Sequence, residues 1–203
     1  MKNLAKTLIA AAIASVMISS SVVTAFAAEP VATTVTSRSV LTFYRIWVSG
    51  NVKVILTQGD KTSVGSTEYF DSSKTSVMTN GQTLFIKSTA PGLVTLNITV
   101  KDLQRVVASG KSVIVTTNNF DVRYLQLFLD QSAIANIKTT TQSLYTVLKD
   151  DAVLKLSGTA DESTMVASNM KNVKLRGFST LRSESYASEA IMKSDRTAMT
   201  IKK

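Results

Sequence analysis

Cysteine and histidine are absent from all 203 residues, and proline occurs twice. The chain therefore has no disulfide, no Ser-His or Cys-His nucleophile, no imidazole base near neutral pH, and none of the usual zinc ligand sets. Carboxylates, Lys, Arg, Tyr or an oxygen-ligated metal are all that remain for catalysis. Aromatic residues make up only 6% of the chain, and most of those in the first half, Phe43, Tyr44, Trp47, Tyr69, Phe70 and Phe85, fall before residue 90. Helical periodicity is missing too: past residue 27 no stretch keeps the three-to-four spacing of an amphipathic helix, and none approaches the roughly twenty apolar residues of a membrane span.

What is present begins with an export signal. Lys2 and Lys6 are followed by an apolar, small-residue run from Leu8 to Val23, broken by serines, and then by Ala25-Phe26-Ala27. That order of basic start, apolar stretch and small-residue cleavage site describes a signal peptide over residues 1–27, with the mature chain starting at Ala28. The expected organisation is a short extension over 28–40 and one domain over 41–203, soluble after export. No cysteine follows the signal to carry a lipid. A small exported domain without disulfides needs some other source of cohesion.

The second half supplies one. Leu125, Leu129, Ala133, Ala135 and Ile137 are followed nineteen residues later by Leu144, Leu148, Ala152, Leu154 and Leu156. A third copy carries Met165, Ala167, Val173 and Leu175, with Ser163 in place of Leu144. Within each copy the apolar residues alternate by twos, which is strand periodicity. A short repeat of alternating strands is what a coiled solenoid needs, because each turn sets its inward side chains above those of the turn below. The expectation is an all-β, single-stranded parallel β-helix, right-handed, with columns Leu129–Leu148–Ala167 and Ile137–Leu156–Leu175. Backwards, the pattern extends to Val113 and Val115 through a three-residue insertion. A leucine-rich repeat lacks its Asn or Cys column and helical half here, and an antiparallel sandwich would make the repeat a coincidence.

The first half reads as strands and hairpins. Val52, Val54 and Leu56 alternate before Gly59-Asp60, and Asn80-Gly81 between Val77-Met78 and Leu84-Phe85-Ile86 is a hairpin signal. Pro91-Gly92 precedes a strict alternation at Val94, Leu96, Ile98 and Val100, so the sequon-like Asn97-Ile98-Thr99 lies in a strand. The aromatics suggest a bulky, hairpin-rich N-terminal cap.

The stretch from Phe43 to Gly59, FYRIWVSGNVKVILTQG, resembles the opening motif of the putative auto-transporter adhesin, head GIN domain family of exported proteins from Bacteroidetes and relatives. Asn80-Gly81-Gln82-Thr83-Leu84-Phe85-Ile86-Lys87, Ile98 to Leu103 leading to Ala108-Ser109-Gly110, and Leu154 to Ala160 fit as well. The resemblance covers essentially all of the mature chain. It implies a β-helix-like exported domain, an adhesion role and no catalytic residues. The chain departs from the pattern where Asp130-Gln131-Ser132, Lys149-Asp150-Asp151 and Ser168-Asn169-Met170 stand in for Ser-Gly steps.

Charge and polar turns supply the candidate binding residues. The net charge is +9, and residues 171–203 hold Lys171, Lys174, Arg176, Arg182, Lys193, Arg196, Lys202 and Lys203 against Glu184, Glu189 and Asp195. Two readings stay open for this end: a contact for acidic polysaccharide or an anionic membrane surface, or a solvated end that stops stacking between molecules. Gln131, Asp150 and Asn169 fall at one turn of successive repeats, where Asp150-Asp151 is a weak calcium candidate. Thr116 to Asn119 and Thr139 to Gln142 are either corners or an exposed hydrogen-bonding surface. No aromatic platform for a sugar is visible in the coils, and Tyr124 and Tyr145, near in register but one column apart, need not share a face. The function expected is a non-catalytic binding or adhesion module of the cell envelope, in the periplasm or at the cell surface. Its partner would be a surface glycan or envelope protein, without nucleic acid, cofactor or resident metal. A polysaccharide lyase-like enzyme and a purely structural envelope component are the alternatives.

Overall fold

The computed structural model describes residues 42–66 and 68–188. The signal and extension expected over 1–40, and Lys193, Arg196, Lys202 and Lys203 of the basic end, lie outside the described residues. The chain is all-β: twelve strands join one curled sheet, and among the described residues the other regular element is a 3-10 turn at Met170–Asn172. No helix among them is long and apolar enough to cross a membrane.

Four long strands carry the repeat: β9 (Phe120–Leu129), β10 (Ile134–Leu148), β11 (Val153–Ala167) and β12 (Val173–Tyr186). They pair in parallel at an offset of nineteen residues, which becomes twenty between β11 and β12 past the register shift after Leu156, so Leu129, Leu148 and Ala167 are register partners, and so are Ile137, Leu156 and Leu175. Both expected columns are therefore present. Leu129, Leu148, Ala167, Ile137 and Leu156 are buried, and only Leu175, on the last strand, is 53% exposed. β10 extends over more than one flank of the sheet. The first residues of β10 pair with β8 (Val113–Thr116) and its later ones with β9.

The backward extension of the repeat needs correction. Ala135 pairs with Ile114, twenty-one residues earlier, and Val113 and Val115 pair with Ile134 and Asn136. Ile114 is fully buried, whereas Val113 and Val115 are half-buried on the outer face. The insertion is two residues, in the Thr116–Asn119 stretch, and a one-residue error of register moves every side chain to the other face. Three consecutive β-branched residues hid the inward one.

The N-terminal cap also differs. β1 (Arg45–Gly50) lies between β5 (Thr83–Ser88) and β7 (Arg105–Ser109), and β2 (Val52–Gln58) lies between β6 (Val94–Val100) and β8. The first strands in sequence are thus interior. The two ends of the strand order are antiparallel, β3 (Ser63–Ser66) on β6 and β4 (Thr75–Asn80) on β5, the latter through the expected turn with Asn80 opposite Thr83 and Gly81 at φ 54. Of the aromatics assigned to a cap, Phe43 is in the core and Phe70 packs partly against it. Trp47 and Phe85 face outward, and Tyr69 is 95% exposed.

The polar stretches are corners and inter-strand staples. Thr139 and Thr141 point inward from β10 and donate to the carbonyls of Phe120 (2.7 Å) and Arg123 (3.1 Å). Asn118 accepts from the Gln58 backbone N–H and donates to its carbonyl (2.9 and 3.1 Å), so its amide completes β2 where the ladder stops. The Gln58 side chain in turn donates to the carbonyls of Lys101 and Asp121 and accepts from the Asp121 N–H, all within 2.9 Å. Three levels of the sheet are held by one amide.

Candidate functional site

Strand alternation sends one residue in two outward, and on the flank formed by β5, β1, β7, β9, β10, β11 and β12 one outward column is not polar. Phe85 pairs with Trp47, Trp47 with Val107, Val107 with Phe128, Phe128 with Val147, Val147 with Val166, and Val166 with Tyr186. This is a continuous apolar column across seven strands. Trp47 meets Phe85 with ring centroids 6.1 Å apart, and Phe128 meets Tyr145 at 5.9 Å. Val147 and Val166 are 3% exposed, whereas Trp47, Phe85, Val107 and Phe128 remain half-buried and accessible.

Beside this column runs a polar one. Arg45 pairs with Arg105, Arg105 with Gln126, and Gln126 with Tyr145. Arg105 donates to Gln126 Oε1 (2.8 Å), which fixes its guanidinium plane over the Phe128 ring, 5.4 Å from the centroid. A guanidinium held over a ring keeps free donors in a defined plane, with an apolar surface beside them. Tyr124 lies on the same outer face as Tyr145, a correction to the reading that they need not share one, but its ring meets Arg123 at 5.7 Å and not Tyr145. Phe128, Val147 and Val166 are themselves nineteen apart, so the repeat that located the core could also have located this face.

The candidates at the turns come together only in part. Gln131 and Asp150 occupy matching turns after β9 and β10, both exposed and both in the left-handed region, at φ 57 and 51. Asn169, next in the series, is extended, and its side chain accepts from the Lys171 N–H to open the 3-10 turn. Among the described residues no three Asp or Glu side chains gather as a metal site. Asp71 is held below the ordinary 3.8 of an aspartate, chiefly by hydrogen bonds from the Ser73 hydroxyl and N–H, but it lies in the turn before β4. The depression lined by Ser66, Tyr69, Phe70 and Leu93 has a volume of about 180 Å³, below the roughly 300–1,000 Å³ of small-molecule pockets.

The basic candidates divide. Lys171 is in the 3-10 turn, Lys174 and Arg176 are at the start of β12, and Arg182 lies beyond a corner, bound to Glu162 at 2.9 Å. Two cations missed in the sequence belong with the first three. Lys155 is the register partner of Lys174, and Lys138 pairs with Ser157, which lies at the register shift where β12 carries Arg176 and Gly177. The same nineteen-residue step, applied to outward residues, connects them.

A model of the family described as putative auto-transporter adhesin, head GIN domain matches residues 42–188. The chain belongs to this family. No curated protein matches it. Among solved structures, a protein called putative lipid binding protein from Parabacteroides distasonis superposes with a TM-score of 0.54 at 15% identity, covering 73% of this chain and 76% of its own. A putative adhesin from Parabacteroides merdae gives a TM-score of 0.53 at 11% identity, covering 74% and 75%. At such identities these likenesses speak for the shared fold of the head GIN domain.

Proposed function

We propose that this head GIN domain is an exported, non-catalytic binding module of the cell envelope, in the periplasm or at the cell surface, and that its ladder is a right-handed, single-stranded parallel β-helix. The observation that carries the reading is the outward face where Arg105 is fixed over Phe128 and Trp47 packs on Phe85. An accessible aromatic and apolar strip edged by oriented guanidinium donors is a surface for stacking and hydrogen bonding, not for proton transfer. A glycan presents an apolar ring face edged by hydroxyl acceptors and suits this surface best. The names of its structural neighbours, adhesin and lipid binding protein, also describe binding and not chemistry. The test is a glycan array probed with the protein and with Trp47→Ala and Phe128→Ala. Binding lost in both variants, with the β-sheet circular dichroism unchanged, supports this face; binding retained in both overturns it.

A further inference from the structure

The two flanks of the sheet end differently at β12. On the aromatic flank the inward column Leu125, Leu144, Ser163 finishes in Ser183, and the column Leu127, Thr146, Met165 finishes in Ser185. The last level there is dressed for water. On the opposite flank, Ala135 and Leu154 are followed by Val173, and Ile137 and Leu156 by Leu175. Leu156 is 1% exposed and Leu175 is 53% exposed. The core is left apolar at its end on this flank. Among the described residues β12 pairs only with β11, so its other side offers unpaired backbone donors and acceptors.

The outward side chains at the same place are cationic. Lys155 and Lys174 are adjacent in register, about 4.8 Å apart along the ladder; Lys138 is the partner of Ser157 on β11, and Arg176 follows Leu175 on β12 at the register shift beside Ser157. All but half-buried Lys155 are exposed, and none is in an ion pair among the described residues. Like charges opposed across a ladder disfavour the fold. Gly177, at φ 67, sits in a register shift opposite Ser157 and ends the straight stretch, the arrangement of a bulge that bends its strand away.

We infer that the free edge of β12 at Val173–Arg176 accepts a further β-strand from a partner protein, a short extended segment that alternates acidic with apolar residues. Such a segment bonds the open backbone, covers Leu175 with its inward side chains and sets its carboxylates beside Lys174 and Arg176. One occupant thus answers three features. An acidic polysaccharide answers only the cations, and a second copy of this edge would oppose Lys174 and Arg176 with their own kind. The inference rests on the reading of the chain as a binding module, but uses a different flank from the aromatic face.

The probe is a blocked hexapeptide of alternating Glu and Val, with alternating Lys and Val as control, against the whole mature protein. The Glu peptide is expected to bind, to slow amide exchange at 173–176, and to lose at least tenfold in affinity against the double variant K174E/R176E. Trp47→Ala should leave this binding intact, which separates failure here from failure of the aromatic face. Binding without slowed exchange at β12 would overturn strand addition, and equal binding of polygalacturonate would assign the cations to polysaccharide instead. Amides at 173–176 already protected without peptide, and released by truncation after Ser188, would assign the edge to the chain's own C-terminal segment and overturn the proposal.

Discussion

Glycine 158 sits where β11 passes Thr139 so closely that a Cβ would stand 1.9 Å from the Thr139 carbonyl oxygen, at φ 106. Gly177, also at positive φ, has nothing within 4 Å of the same atom. Gly177→Ala should therefore cost only the left-handed penalty, about 1–2 kcal/mol. Gly158→Ala carries the same penalty and must also push two strands apart, so it should cost more than about 2 kcal/mol. Thermal melts of the two variants check this, and equal losses would refute the close approach at Thr139. Gln131 and Asp150 show the other side of the rule. These larger polar residues occupy left-handed turns, and both turns are exposed.

At the scale of the element, the column Ile137–Leu156–Leu175 offers an internal comparison. The residues are of one chemical kind and in one register, but the first two are closed over by the next strand and the third is not. Leu156→Ala is expected to cost about 2–5 kcal/mol as a buried deletion, and Leu175→Ala to fall within about 0.5 kcal/mol as a surface change. Denaturant melts with unchanged slope would measure both. A large loss at Leu175 would mean that its side chain is covered. The nineteen-residue spacing made this column readable because identical levels repeat the same environment. The spacing failed at β8, where two inserted residues broke the period and Val113, Ile114 and Val115 offered no polar residue to mark the outside.

For the whole molecule, missing His and Cys, together with acids placed at separate turns, lead to the expectation of no turnover on a panel of acidic glycans. Cleavage abolished by Asp150→Asn would reverse that and reinstate a lyase-like reading. The candidate surfaces were legible only in part. Lys171, Lys174 and Arg176 could be named from charge density, yet their grouping with Lys138 and Lys155, and the removal of Arg182 to the Glu162 pair, needed the register of β10, β11 and β12. Trp47, Phe85 and Phe128 were visible as aromatics but not as one face. They are separated by up to 81 residues, and β1 enters the stack between strands that come later in the chain.

By itself the sequence determined that the chain is all-β, where its second half repeats, that Leu129–Leu148–Ala167 and Ile137–Leu156–Leu175 form two columns, and which family it belongs to. These properties depend on neighbours at a fixed short interval, and a repeat writes that interval into the chain. Only the tertiary structure decided that β1 and β2 are interior, that the outward residues of seven strands align as an apolar column, and that one flank ends in serines while the other ends in Val173 and Leu175. Those outcomes turn on which strand lies beside which when offsets change from 19 to 21, 38 and 60 residues. An irregular offset costs little in loop entropy and leaves no period to read.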